Sequence, residues 1–224
     1  MNNKLTMTLQ EHLKDFSRVN GNMEVLNKTI ESVASHFLYG GYFAVGGKKI
    51  FLTDIEFYYH EEGGSGKIHD YIMYHINHKC KDGEFTPFEF GSLHAHVSGI
   101  DFTFEDPAGK YRASILIRGA RKEGEDKPET RPTYLYDYFL MHNPVFGDGF
   151  SIRWHDIDYD PEKDFVKIDS HVRKNVPQYY EHDCDNGKKG ERIMAKDREH
   201  DAKDELKLGK VTYLQCPREW RYRK

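Results

Sequence analysis

One segment, KIFLTDIEFYYH at residues 49–60, constrains the fold more than any other part of the sequence. Its density of β-branched and aromatic residues favours a strand, in which successive side chains point to opposite faces. One face would carry the apolar and aromatic side chains Phe51, Ile55, Phe57 and Tyr59. The other would carry the polar side chains Asp54, Glu56, Tyr58 and His60. The pattern predicts a strand with a core face and a face equipped for acid–base chemistry.

The remaining elements alternate between strands and a few helices. Apolar residues recur at spacings of three and four over 21–37, which predicts a helix ending near Leu38. A short strand at 42–45 and a glycine turn should follow, and further strands are expected at 92–98, 100–105, 111–119 and within 210–222. Residues 134–141 are either a helix or a strand.

These elements favour an α+β fold, in which a curved antiparallel sheet is packed by helices. No internal repeat and no clean linker divide the chain, so residues 1–224 are interpreted as a single domain. The stretch from 181 to 208 has charges at most positions, which predicts an exposed charged helix or loop.

Composition excludes several classes of protein. With 38% hydrophobic and 14% aromatic residues the chain can fill a core, unlike a disordered segment. A net charge of -4 means that bulk electrostatics would not draw it onto nucleic acid. No apolar run is long enough to span a membrane and the first residues lack the apolar core of a secretory signal, so a cytoplasmic protein without a membrane partner is expected. Three widely spaced cysteines do not form a disulfide framework.

Two charged residues stand out on the strands. Glu56 lies mid-strand between large apolar residues, where a carboxylate is either exposed to solvent, paired or functional. Arg118 leaves the apolar run Ile-Leu-Ile, and either reaches solvent, pairs with an acid or helps Glu56 to hold a water.

His94 and His96 form a His-x-His pair on one strand face. This spacing suits a metal if a third ligand joins from elsewhere, but a polar or stacking role for the rings is favoured. The glycine loop GGSGK at 63–67 lacks the spacing of a phosphate-binding loop, which excludes nucleotide hydrolysis of that type.

Three segments in one order carry a resemblance to a known family: FLYGGYFAVGGKKIFLTDIEFYYH, GSLHAHVSGIDFTFE and ASILIRGAR. Together they resemble the alkyladenine (methylpurine) DNA glycosylases, in which a helix ends in a Phe-Leu-Gly-like turn, a strand ends in Glu-Thr-Glu-Ala-Tyr and a later strand ends in Leu-Leu-Arg-Ala. The similarity covers about residues 33–121, and it implies an alkyladenine-glycosylase-like fold without a cofactor or a metal.

The resemblance also implies roles for individual residues. Glu56 would activate the water, with Arg118 beside it as the second catalytic residue. The residues that would contact the flipped base are Tyr58, His69, His94 and His96. The residues that would contact DNA are Ser98 and Gly99 in the turn after the stacking strand and Arg221 and Arg223 near the C-terminus.

Two departures from the family pattern leave a rival open. The turn at Ser98-Gly99 fills little space where family members insert a bulky side chain into DNA, and the charge balance is acidic. The leading hypothesis is a DNA glycosylase acting on damaged purines in base excision repair. The rival is a related protein that binds a small purine-like ligand without repair activity, and a third class is a metal-dependent hydrolase built on His94 and His96.

Overall fold

A computed structural model provides the structure of the chain. It describes residues 7–63, 66–68, 70, 73, 87–140, 151–159, 168–171, 173, 179–182, 193–194, 211–214 and 219–224, with the backbone alone at 179–182, 193–194 and 211–214. The predicted base-contacting residue His69 and all three cysteines lie outside these residues.

The elements follow one another as helices and antiparallel strands. In chain order they are α1 (Leu9–Lys14), a 3-10 turn (Asp15–Arg18), α2 (Met23–Tyr39), β1 (Gly41–Val45), β2 (Lys48–Glu61), β3 (Ser92–His96), β4 (Gly99–Thr103), β5 (Tyr111–Lys122), α3 (Pro132–Phe139), β6 (Ile152–Asp156), β7 (Asp169–His171), β8 (Tyr179–His182), β9 (Ile193–Met194), β10 (Val211–Leu214) and β11 (Arg221–Arg223).

Eight strands form one antiparallel sheet. Six of them follow the order β3-β4-β5-β2-β1-β6, and β11 pairs with β2 and with β7. A second sheet of three strands has the order β10-β8-β9. The predicted α+β class is therefore confirmed, whereas the glycosylase-like fold and the single domain stay predictions.

Local sequence signals explain the helix boundaries. Asn22 caps α2 by accepting hydrogen bonds from Glu24 N and Val25 N, and the helix matches the one predicted over 21–37. Helix α1 was not predicted, although Thr8 and Glu11 form a reciprocal capping box that is readable in the sequence. The ambiguous segment 134–141 is a helix in its described part, because α3 spans Pro132–Phe139 and begins with a proline in its first turn.

The expectation of a helix or loop at 181–208 is wrong at two places. Glu181 and His182 belong to β8, and Ile193 and Met194 form β9, which pairs with it. The charged sequence does not exclude a strand, because strands pair through hydrogen bonds between backbone groups and need no apolar pattern. The rest of that stretch lies outside the described residues.

The core lies between the helices and one face of the sheet, and aromatic rings dominate it. Phe37 of α2 contacts Phe102 of β4 and Trp154 of β6, each at 5.4 Å between ring centroids. Phe43 of β1 lies 5.0 Å from Trp154 and 6.0 Å from Phe102. Side chains from β1, β4 and β6 therefore converge on one helix, although β5 and β2 separate β4 from β1 in the sheet.

A β-bulge at Thr53 changes which side chains of β2 face the core. Leu52 pairs with Ala120 and Asp54 with Gly119, so Thr53 is an extra residue in the ladder. Before the bulge Leu52 faces the core, and after it Ile55 does. The prediction that Phe51 shares the core face with Ile55 is wrong, because simple alternation does not allow for the bulge. Phe51 instead packs on the opposite face against Tyr42, at 5.6 Å between centroids.

Candidate active site

The face of β2 opposite the core carries the four predicted polar side chains, and it is buried as well. Asp54, Glu56 and His60 are at most 8% exposed, and Tyr58 is half-buried. Neighbouring β5 places Ser114 opposite Tyr58 and Leu116 opposite Glu56, and both are buried. Buried polar groups are unfavourable unless they are hydrogen-bonded, so this face must be organised internally.

Glu56 and Arg118 form the centre of this face. Arg118 Nε donates to Glu56 Oε2 and Arg118 Nη2 donates to Oε1, each at 3.0 Å. The Tyr58 hydroxyl donates to the same Oε1 at 2.8 Å. The Glu56 carboxylate is fully buried at 0% exposure, whereas one fifth of the Arg118 side chain (20%) is exposed. Three of the predicted site residues thus meet in one cluster.

Burial and the neighbouring charges shift the pKa values of Arg118 and Tyr58. Burial alone would lower the pKa of Arg118, but hydrogen bonding to Glu56 and its negative charge outweigh burial and raise it. Burial, assisted by the nearby charge of Glu56, raises the pKa of Tyr58 well above its ordinary value. Tyr58 therefore remains a hydrogen-bond donor at neutral pH, and the carboxylate is held in one orientation.

A second buried carboxylate, Asp54, adjoins the cluster. Arg221 Nε donates to Asp54 Oδ1 at 2.8 Å, and Arg223 Nε donates to Oδ2 at 2.8 Å. Arg221 Nε is also 3.9 Å from Glu56 Oε2. Strand β11 causes this arrangement, because it pairs Arg221 with Glu56 and Arg223 with Asp54. Both guanidiniums bind the buried Asp54 carboxylate. Their DNA-binding role stays a prediction.

Arg173 supports the same face and was missed in the sequence. It forms a fully buried ion pair with Asp70, with 2.7 Å between Nη1 and Oδ2. Its guanidinium carbon lies 4.9 Å from the Tyr58 ring centroid and 5.3 Å from that of Trp220. One face of the Tyr58 ring is thus covered by the Arg173 guanidinium. A separation of 103 residues between Arg173 and Asp70 explains why no local pattern indicated the pair.

The histidines of β3 form a stack of rings on the same face of the sheet. Phe88 stacks on His94 at 4.4 Å between centroids, and His94 stacks on His96 at 6.3 Å. His96 Nε2 is 3.3 Å from Oδ1 of the buried Asp101. Among the residues that the structure describes, no three metal-ligating side chains cluster together. The geometry of the His-x-His pair is therefore that of stacked rings.

The register relates this stack to the carboxylate cluster. Glu56 pairs with Leu116, Leu116 with Asp101 and Asp101 with His94, so all four lie in one row across the sheet. Three strand spacings separate the ends of the row by about 14 Å along the backbone. His94 and His96 thus lie on the same face of the sheet as Glu56, three strands away from it.

The hairpin between β3 and β4 carries an exposed apolar residue at its tip. Val97 is 96% exposed, directly before Ser98 and Gly99. The Tyr136 hydroxyl of α3 donates to the carbonyls of His96 and Gly99 and so braces the base of the hairpin. Sequence reasoning considered only Ser98 and Gly99, although an isolated valine beside the turn was a readable signal. The predicted DNA contact of Ser98 and Gly99 stays a prediction.

Comparison with known proteins adds no relative. No protein-family model, curated protein or solved structure matches the chain. The resemblance to the alkyladenine glycosylases therefore depends on the residues and stays a prediction. Within the described residues, no helix combines the length and apolar character needed to cross a membrane.

Proposed function

We propose that this protein hydrolyses the N-glycosidic bond of a damaged purine in DNA, with Glu56 as the group that activates water. The supporting observation is the contact of Glu56 with Arg118 and Tyr58, which come from two strands and converge on one buried carboxylate. Core packing does not require this convergence, because the cluster lies on the face of the sheet away from the core.

The proposed step balances as a hydrolysis. Glu56 accepts a proton from water, the water oxygen bonds to C1′ of the deoxyribose, and the bond from C1′ to the purine nitrogen breaks. The bonding electrons leave with the base, which takes up a proton from solvent, and Glu56 then releases its own proton to solvent. Arg118 holds the carboxylate in one orientation, and Tyr58 fixes Oε1 through its hydroxyl.

Rings on the same face would hold the extruded base. Enzymes that act on a base in DNA turn it out of the helix and stack it between aromatic side chains. The stacked rings of His94 and His96 provide one wall for the base, on the face of the sheet that carries Glu56. Val97 at the hairpin tip would fill the gap left in the duplex, a role that Ser98 and Gly99 are too small to perform.

The test is base release from oligonucleotides, duplex and single-stranded, that contain alkylated or deaminated purines. Glu56→Gln preserves the shape of the side chain but removes the proton acceptor, and loss of a general base lowers rates by about 10² to 10⁴. Its amide nitrogen cannot accept the second hydrogen bond from Arg118, so a thermal melt of the variant is compared with that of the wild-type protein. Glu24→Gln is the matched control, because Glu24 is exposed and pairs only with Lys28 among the described residues. Equal release by the wild-type protein and Glu56→Gln would exclude the proposed chemistry.

A second candidate, binding of a small purine-like ligand without hydrolysis, is favoured by the two arginines of β11. Arg221 and Arg223 both pair with Asp54, although 44% of the Arg223 side chain is exposed, and the net charge is -4. Binding through phosphates weakens steeply as salt is added. A titration with duplex DNA at rising salt separates the candidates: strong salt dependence supports the glycosylase, and absent DNA binding together with purine binding supports the second.

A further inference from the structure

A cavity lies on the other side of the sheet, far from the Glu56 cluster. It has a volume of about 640 Å³ and opens between α1 and strands β1, β3, β4 and β6. Its apolar walls include Leu9, Leu13, Phe43, Phe102, Ile152 and Trp154. Ligand pockets for small molecules typically measure about 300–1,000 Å³ and are mostly apolar with a few polar groups. Volume and lining both fit a small molecule.

One carboxylate, Asp156, supplies the charge at this cavity. Its Oδ1 accepts hydrogen bonds from His36 Nε2 at 2.6 Å, Trp154 Nε1 at 2.9 Å and Leu9 N at 3.0 Å. Among the described residues none donates to Oδ2. The carboxylate is therefore anchored through one oxygen and offers the other to a ligand, and its side chain is one third exposed (33%).

The surroundings leave this negative charge uncompensated. The other polar residues of the described lining, Thr8, Gln10 and Ser92, are neutral, and no lysine or arginine lines the cavity. Burial would raise the pKa of Asp156, but hydrogen bonds from Trp154, Leu9 and His36 lower it overall, so the group is ionised at neutral pH. Desolvation lowers the pKa of His36, which is neutral there.

From this geometry we infer that the cavity binds a small flat aromatic ring that carries an alkylammonium group, with the ring against Phe43 and Trp154 and the ammonium on Asp156 Oδ2. The rings of Phe43 and Trp154 are inclined at 76°, so a flat ligand can lie against one ring and meet the edge of the other. An ammonium donor satisfies a carboxylate oxygen better than a neutral group does. This site is independent of the glycosylase proposal.

The test uses three probes that share one ring system and differ in charge: naphthylethylamine, naphthylethanol and naphthylacetate. Isothermal titration calorimetry should show that the amine binds at least about tenfold more tightly than the alcohol, because a hydrogen bond to a charged group is stronger than a neutral one. The acetate should bind most weakly. Equal affinity for all three probes, or no binding of the amine, would overturn the inference.

Two variants locate the binding. Asp156→Asn should weaken the amine about tenfold and leave the alcohol unchanged, since only the charge is lost. Ile152→Trp should abolish binding of both by filling the cavity, whereas Arg153→Trp adds the same side chain to an exposed position of β6 and should bind normally. If Asp156→Asn does not fold, the comparison of Ile152→Trp with Arg153→Trp decides alone. If sedimentation shows a wild-type dimer that Ile152→Trp converts to a monomer, a second copy of the chain fills the cavity. That result would also overturn the inference.

Discussion

Arg118 and Glu56 lie 62 residues apart in sequence and meet on adjacent antiparallel strands in a two-point ion pair. The carboxylate is fully buried (0% exposed), whereas the guanidinium retains some contact with solvent (20%). Removing the arginine therefore deletes two hydrogen bonds to a charge in the interior, where Arg221 Nε remains 3.9 Å from Oε2. Removing both partners leaves only a gap.

We predict that Arg118→Met lowers the free energy of unfolding by about 3–5 kcal/mol, the usual cost of removing one partner from a buried ion pair. The double variant Glu56→Leu/Arg118→Met should be less destabilised than Arg118→Met alone, because neither charge remains. Urea denaturation of the wild-type protein, Arg118→Met and the double variant measures both losses in the free energy of unfolding. Arg131→Met serves as the control, because Arg131 is mostly exposed (63%) and surface ion pairs contribute little to stability. Similar losses for Arg118→Met and Arg131→Met would contradict the prediction.

Gly119 lies opposite the bulge in β2, and the bulge explains why no larger residue fits there. A Cβ at this position would lie 2.8 Å from Thr53 Oγ1 and 3.1 Å from Asp54 Cβ. We predict that Gly119→Ala destabilises the fold by about 1–3 kcal/mol, as forced overpacking does. Thr53→Ala removes the closer atom, so the double variant Gly119→Ala/Thr53→Ala should recover part of the loss in a thermal melt. No recovery would mean that the strain lies elsewhere.

The strand β2 shows how far sequence reasoning reaches. Alternation correctly places Glu56, Tyr58 and His60 together on one face, because strand geometry alone dictates it after the bulge. The same reasoning fails for Phe51, since an inserted residue reverses the alternation and only the partner strand reveals the insertion. Local pattern identifies a face, whereas register depends on a segment elsewhere in the chain.

The candidate site shows the same limit. Arg118 was identified because a charge ending an apolar run is conspicuous in sequence. The pairing of Arg221 with Asp54 depends on β11 joining β2 from 167 residues away, and nothing local to Arg221 indicates it. Its charge suggested a surface role, but the antiparallel pairing turns it inward. Long-range pairing therefore determines which charged residues are available to a ligand.

Val97 allows function to be separated from stability. Its side chain is 96% exposed, so Val97→Gly should leave the main packing intact and change the free energy of unfolding by no more than about 0.5 kcal/mol, apart from backbone entropy. If Val97 fills the gap left by an extruded base, the variant should release base more slowly from duplexes and at an unchanged rate from single strands. Equal slowing on both substrates would exclude a role in extrusion.

Two buried histidines predict how stability depends on pH. Burial, with the charge of His36 added, lowers the pKa of His12 below its usual 6.5. Desolvation also lowers the pKa of His36 below 6.5, more than its bond to Asp156 raises it. The unfolded chain therefore binds more protons than the folded chain once the pH drops below about 6.5. The free energy of unfolding should fall as the pH decreases below this value, and above it these two histidines should have no effect. Urea titrations from about pH 7.5 down to about pH 5 should show a shallower decline for His12→Gln/His36→Gln than for the wild-type protein. An equal decline in the wild-type protein and in His12→Gln/His36→Gln would assign the pH dependence to other groups.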